Sequence, residues 1–234
     1  MTSAIILAGG LGTRLRATVP DLPKPMAPIN GRPFLEHQLD YWIGQGVNHF
    51  VLSVGYRRET ITAHFGSAYR GAALEYAVEQ SPLGTGGGLL QALRVLDAER
   101  DVLLLNGDTY FEVELPALHA AHQAASADWT LALFRSAQAG RYMGLALAAD
   151  GRIISLKSGS GQPGSLANGG VYLFNPGSVR TGAGSPHQKA SLEDDMLPAL
   201  LGRGGRLYGV ECDGTFIDIG VPQDYLRAAT LLRT

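Results

Sequence analysis

Cysteine is almost absent from this chain: Cys212 is the only one in 234 residues. A single thiol forms no intramolecular disulfide, and a cysteine-based zinc cluster is excluded. Long hydrophobic runs are missing as well, and no apolar stretch approaches the length of a membrane span. The opening Met1-Thr2-Ser3 carries no basic segment and no cleavage-type sequence, so a cytoplasmic protein is expected. Charge is scarce too. Charged residues make up 17% of the chain and the net charge is −2, which gives no general attraction to nucleic acid or to an anionic membrane. Any polyphosphate ligand must therefore be held locally, by a few cations, backbone N–H groups or a metal.

What is present is an ordinary globular composition, 45% apolar, long enough to bury a substantial core in one domain spanning residues 1–234. Apolar runs recur at residues 4–7, 50–54, 74–78, 102–105, 129–134, 153–156, 171–174 and 207–210. Helical patterns fall between the early runs, at 34–43, 58–65 and 87–96, and later at 115–125, 192–201 and 223–232. Strand and helix alternating at these spacings predict βαβ units, hence an α/β fold with a mostly parallel central sheet flanked by helices. From Trp129 onward short strands and turns take over. Asp150-Gly151 between two apolar runs predicts a hairpin, part of a small antiparallel excursion laid against the parallel sheet. Segments 159–164 and 177–186, rich in Gly, Ser and Pro, are expected to be loops. His119 and His122 are expected on a helix surface rather than as metal ligands, because no carboxylate lies at ligand spacing.

The densest chemical signal stands at the beginning. A strand-type run, Ala4-Ile5-Ile6-Leu7, leads into Ala8-Gly9-Gly10-Leu11-Gly12-Thr13-Arg14-Leu15, and Leu22-Pro23-Lys24-Pro25 follows. Glycines let the backbone approach a ligand and turn through positive φ. Successive N–H groups in such a turn form an anion-binding concavity. Arg14 adds a planar fork for phosphate and Lys24 a compact point charge. The Walker A pattern is absent, since no Gly-Lys pair follows the glycines. The dinucleotide fingerprint fits at Gly10 and Gly12 but meets Leu15 where its third glycine belongs.

Three further groups carry chemistry. Asn106-Gly107-Asp108 follows an apolar run, which puts a carboxylate just past the end of a parallel strand, where open α/β sheets bind ligands. Asp218, between Ile217 and Ile219, is a second lone carboxylate whose desolvation is costly unless it is paired or metal-bound. Together they would make a hard oxygen site for Mg²⁺; singly, Asp108 could cap a turn and Asp218 bond to backbone. The third group is Glu79-Gln80-Ser81-Pro82-Leu83-Gly84-Thr85-Gly86-Gly87-Gly88, a glycine cluster opening a helix whose N-terminus favours an anion.

The opening segment resembles the LAGGxGTRL…PKP signature of the sugar-1-phosphate nucleotidyltransferases. The resemblance extends from Ala4 to about Tyr225 and implies a Rossmann-like nucleotide-diphospho-sugar transferase fold. It implies that Leu7, Ala8, Gly9, Gly10, Gly12, Thr13, Arg14, Glu79, Gly84, Thr85 and Asn106 face the nucleotide, and that Asp108 and Asp218 hold Mg²⁺. Arg14, Lys24 and Asp108 become the expected catalytic residues. Glu79 faces the base by the same similarity; a carboxylate suits the adjacent N1–H and N2–H₂ of guanine, so GTP is favoured, although Glu79 could equally cap its own loop. On the acceptor side the resemblance picks out Lys24, Gly144, Asn168 and Glu193. Ordinary acidic decoration of a helix start is an equal reading of Glu193. The family's adjacent Glu-Lys pair is missing, and Lys157-Ser158-Gly159 stands there instead, which leaves Lys157 as the candidate for the sugar phosphate.

Within that family the chain most resembles the D-glycero-α-D-manno-heptose 1-phosphate guanylyltransferases, through residues 22–29, residues 82–87 and its short length. Mannose 1-phosphate with GTP, or N-acetylmuramic acid 1-phosphate with UTP, are alternatives. A non-catalytic nucleotide-sugar sensor is a further one, opposed by the joint presence of Arg14, Lys24, Asp108 and Asp218. Expected partners are small-molecule substrates, with neither nucleic acid nor membrane; monomer and homo-oligomer both stay open.

Overall fold

The computed structural model describes residues 2–15, 17–96, 100–138, 140–157, 162–180 and 189–232. The first half runs through β1 (Thr2–Leu7), a single 3₁₀ turn (Lys24–Met26), the hairpin β2 (Pro28–Ile29) and β3 (Arg32–Pro33), α1 (Phe34–Gly44) and β4 (Val47–Val54). It continues with α2 (Arg58–Phe65), β5 (Ala68–Tyr69), β6 (Ala72–Val78), α3 (Gly84–Ala92) and β7 (Val102–Asn106). The second half comprises β8 (Thr109–Phe111), α4 (Leu115–Ala124), β9 (Trp129–Arg135), β10 (Gly144–Leu147), β11 (Ile153–Lys157) and β12 (Leu166–Phe174). It closes with α5 (Pro176–Arg180), a π-helical turn (Leu192–Met196) running into α6 (Leu197–Gly202), β13 (Leu207–Glu211), β14 (Phe216–Asp218) and α7 (Pro222–Leu231).

The principal sheet has the order β11-β10-β12-β7-β1-β4-β6-β5, with β9 joining β12 to β13. Strands β7, β1, β4 and β6 are parallel. Antiparallel β12 continues the sheet beyond β7 and pairs β9 along its other edge. The period-two alternation of a strand explains the core. Ala4, Ile6, Phe50, Leu52, Leu103 and Leu105 point to one side of the sheet, while Ile5, Val51, Val102 and Leu104 point to the other. Both faces are therefore dry, which is why these strands read as unbroken apolar runs.

Two small sheets and one helix place the site. β8 pairs β14 antiparallel, with Thr109 opposite Asp218. A separate apolar cluster of Leu15, Ala27, Ile29, Phe34, Ile217, Ile219 and Ala228 seats α7 against this corner. Complete burial of an isoleucine contributes about 1.5–3 kcal/mol, so Ile217 and Ile219 offset the cost of holding Asp218 between them.

The hairpin predicted around Asp150-Gly151 is β10–β11. Two expectations need correction. The loop expected over 177–186 begins as helix: α5 covers Gly177 to Arg180, and the Asn175 side chain accepts the Gly177 N–H at 2.8 Å. Residues 181–186 of that segment, like 159–161 of the other expected loop, lie outside the described residues. His122 is buried rather than on a surface, 3% exposed, with Nδ1 2.8 Å from Thr130 Oγ1 and Nε2 3.6 Å from Asp101 Oδ2. Leu115, Leu118 and His122 share one stripe of α4, and that stripe faces the sheet.

Candidate active site

The parallel strands all deliver their C-terminal ends to one rim. Chain order reverses there, since β4 and β6 lie to one side of β1 and β7 to the other, and open α/β sheets bind ligands at such a switch point. The backbone after β1 is held low against the neighbouring strands: Ala8 N–H donates to Ser53 O at 2.8 Å and Gly107 N–H to Leu7 O at 3.0 Å. Gly107 is required for this approach, because a Cβ there would sit 2.5 Å from Leu7 O. Gly12 turns the loop with φ +58°. The backbone N–H groups of Gly9 to Thr13 donate to no other described residue.

This loop forms one wall of a cavity of about 450 Å³. Leu7, Ala8, Gly9, Gly10, Gly12 and Thr13 line it from β1, Glu79, Gly84 and Thr85 from the opposite loop, and Lys24, Asn106 and Asp108 from the floor. Apart from Arg14, every residue expected to face the nucleotide borders this one space. Lys189 also lines it, a cation that the motif reading missed because no sequence pattern surrounds it. Glu79 is 9% exposed. Its carboxylate accepts from Ser53 Oγ at 2.8 Å and from Leu83 N–H at 3.1 Å, so it ties down its own loop while bordering the cavity. A Cβ on Gly9 would lie 2.3 Å from Glu79 Oε1, hence the absence of a side chain there.

A second cavity of about 410 Å³ opens behind the first. Asn106 and Asp108 line both and form the dividing wall. Arg14, Asn168, Glu193, Asp218 and Arg141 complete the second space. Met143 lines it and Gly144 follows immediately, buried at the start of β10. Lys157 is not among the lining residues: it is exposed at the end of β11, opposite Gly144 in the β10–β11 register. Asn168 is aimed by an irregularity in β12, where pairing with β9 shifts between Asn168 and Tyr172. Gly170 takes φ +72° there, and its N–H donates to Asn168 Oδ1 at 3.1 Å.

The two aspartates expected to act together are neighbours. β14 lies beside β8, and Ile219 N–H donates to the Asp108 backbone carbonyl at 3.0 Å. Each carboxylate has its own counter-charge. Lys24 Nζ donates to Asp108 Oδ2 at 2.7 Å. Burial would push the Asp108 carboxyl up, but the Lys24 ammonium and the Arg14 guanidinium outweigh it and hold Asp108 below the usual carboxylate range. Burial and the negative charge of Asp108 push Asp218 up. Against them work the Gly220 N–H, which donates to Asp218 Oδ1 at 2.6 Å, and Arg141, whose Nη2 donates to Asp218 Oδ2 at 3.2 Å. Arg141 also pairs through Nη1 with the buried Asp224 of α7. Sequence motifs do not single it out, although it stands only three residues before Gly144. Arg14 reaches over the same corner, its Nη2 3.2 Å from where a Gly220 Cβ would be.

Paired oxygen donors at one rim, a bare amide loop and four cations (Arg14, Lys24, Arg141 and Lys189) suit a polyphosphate and a second anion held side by side. Residues 3–234 match the model of the family described as nucleotidyl transferase. The chain is 42% identical to a D-glycero-α-D-manno-heptose 1-phosphate guanylyltransferase of Aneurinibacillus thermoaerophilus over 96% of both chains. It is 36% identical to one of Campylobacter jejuni over 95% of this chain and 96% of that one. A mannose-1-phosphate guanylyltransferase of Mycobacterium tuberculosis is 33% identical over 98% of this chain but only 64% of its own length. Among solved structures, HddC from Yersinia pseudotuberculosis superposes with a TM-score of 0.86 at 31% identity, each chain fully covered. The same protein complexed with GMP-PN superposes with a TM-score of 0.85 at 30% identity, again over both whole chains. With a match along almost its whole length, the chain belongs to the nucleotidyl transferase family.

Proposed function

We propose that this protein transfers GMP from GTP to D-glycero-α-D-manno-heptose 1-phosphate, giving the GDP-sugar and pyrophosphate. The observation that carries the reading is the wall shared by the two cavities: Asp108, with Lys24 bound to it, stands where two phosphate-bearing substrates would meet. The donor and acceptor classes come from the relatives, which act as guanylyltransferases on heptose 1-phosphate at 42% and 36% identity.

In this reading the amides of Gly9 to Thr13 take the β- and γ-phosphates and absorb charge on the leaving group, while Arg14 faces the attacking sugar phosphate from the second cavity rather than the nucleotide. Lys24 contacts both the α-phosphate and the attacking sugar phosphate, so that two anions approach without repelling each other. The nucleophile is already an anion at neutral pH, so no general base is required, and catalysis is positioning and charge neutralisation. Asn168 and Glu193 offer an amide and a carboxylate to sugar hydroxyls. The donor set of Asp108 and Asp218, two adjacent half-buried carboxylates with the phosphates still to come, fits Mg²⁺. When bound there, the ion would neutralise phosphate oxygens and stabilise developing charge. Mannose 1-phosphate is the second acceptor to test, on the strength of the 33% identical relative.

A matrix of GTP, ATP, UTP, CTP and dTTP against heptose, mannose and N-acetylmuramic acid 1-phosphates, scored by product mass, tests the proposal. GDP-heptose is the expected dominant product in Mg²⁺. No pyrophosphate release with any pair would refute an enzymatic role.

A further inference from the structure

The two cavities are joined by more than their common wall. A chain of polar groups runs behind it, and one of its members is hidden from both cavities. Thr85, on the nucleotide loop, donates from Oγ1 to Glu193 Oε2 at 2.7 Å. The same hydroxyl accepts the Leu192 N–H at 2.8 Å, which fixes the direction of its own proton. The other oxygen of Glu193 accepts from the Tyr172 hydroxyl at 3.4 Å, and that hydroxyl accepts from Asn168 Nδ2 at 2.7 Å. Thr85 lines the first cavity; Glu193 and Asn168 line the second. Tyr172 is completely buried and lines neither.

Direction is set all along this chain. Glu193 as a carboxylate only accepts, so both Thr85 and Tyr172 must donate to it, and Tyr172 is then left to accept from the Asn168 amide. That orients the Asn168 amide: Nδ2 to Tyr172, Oδ1 to the Gly170 N–H. Backbone bonds run alongside, because Ala190 O accepts from both Gly86 and Gly87 and its N–H donates to Leu83 O at 2.9 Å. The nucleotide loop is thus stitched to the segment that presents Glu193. The Tyr172–Glu193 contact, 3.4 Å against 2.7 Å for its two neighbours, is the loosest link and the place where a small shift of Glu193 alters bond strength most.

We propose that Tyr172 is a positioning residue, and that through the Thr85–Glu193–Tyr172–Asn168 link a nucleotide seated against residues 84–85 orders the groups that receive the sugar, so that the two substrates bind with positive coupling. The inference rests on the assignment of the first cavity to nucleotide and the second to acceptor. Coupling of this kind is a ratio of affinities, typically about 5- to 150-fold, and is reciprocal.

The test uses the full chain with the non-transferable guanosine 5′-(α,β-methylene)triphosphate and D-glycero-α-D-manno-heptose 1-phosphate, titrated singly and together by calorimetry in Mg²⁺. Wild type should bind the sugar phosphate at least about fivefold more tightly when the nucleotide is present. Tyr172→Phe keeps the ring and removes the hydroxyl; it should bring that ratio below about twofold while the affinity for nucleotide alone is kept, and raise the acceptor KM about tenfold with kcat little changed. A purely structural role for Tyr172 would lower Tm and leave the ratio intact, which would overturn the proposal. Thr85→Val, cutting the opposite end, should also abolish the ratio, and Thr85→Ser should retain it. Persistence of coupling in both Tyr172→Phe and Thr85→Val, or its absence from wild type when each ligand binds alone, would overturn the link. Failure of wild type to bind either ligand would instead remove the cavity assignment beneath it.

Discussion

The two sides of the rim are built from different materials. The nucleotide side is mostly backbone: the end of β1 and the loop amides that follow it, residues 7–13, faced by the glycine loop that carries Gly84 and Thr85. The acceptor side is mostly side chains, drawn from Arg14, Arg141, Asn168, Glu193 and Asp218, which meet only because β14 pairs β8 and β12 returns beside β7. A backbone site is set by local geometry and tolerates drift elsewhere. A site of scattered side chains depends on long-range packing, and is where relatives with one chemistry can differ in substrate.

The shared wall is the first place to break this contrast, since both sides depend on it. Asp108→Asn and Lys24→Ala should each lower kcat by about 10²–10³, as for other losses of preorganised charge, with Tm held near wild type. Pyrophosphate release and a thermal melt on each purified variant check this; near-normal turnover in either would remove the mechanism. On the backbone side, Gly9→Ala forces a methyl against Glu79 and displaces a carboxylate that Ser53 and Leu83 hold. The GTP KM should rise by up to about a hundredfold, the scale of an ångström's misplacement, with the acceptor KM little altered. Steady-state kinetics varying each substrate in turn separates the two.

On the side-chain side, Arg141→Gln removes the cation that faces Asp218 and Asp224. The Asp218 carboxyl should then rise further, and, with the carboxylate no longer held between Arg141 and the Gly220 N–H, the rate at saturating Mg²⁺ should fall about tenfold. A metal titration of initial rate shows it, and Arg141→Lys should recover part of the loss. The smallest effect lies away from both cavities. Burial lowers the pKa of His122 against the opposing pull of Asp101. The unfolded chain therefore takes up its proton first as pH falls through about 6.5, so this contribution is intact above that value and is lost below it. Thermal melts between pH 8 and pH 5 should show a fall of a few degrees that His122→Gln flattens.

How much could be read in advance follows the same division. The β1 loop, the 79–88 loop and Asp108 were legible because glycine spacing encodes backbone shape directly, and shape is what that half of the rim is made of. Asp218 was legible as a charge stranded between two isoleucines. Arg141 and Lys189 were not, since a lone cation carries no local pattern and only tertiary contacts show what it faces. Tyr172 reads as a core strand residue, and it is one; its hydroxyl matters only because Glu193 and Asn168 come to it from elsewhere. His122 was misread as a surface residue, although its spacing to Leu115 and Leu118 puts it on their stripe, and its partner Asp101 stands too far away in sequence to be seen there.

The final helix has a consequence out of proportion to its distance from the substrates. α7 carries Asp224, which grips Arg141, and Ala228, which packs on Ile217 and Ile219 on either side of Asp218. A premature stop codon or a protease cut that removed these last turns would spare the great sheet and most of its hydrophobic interior. Such a protein should still accumulate as folded material and take up nucleotide, yet be chemically silent. Abundance in a cell extract would then say nothing about whether the product is being made.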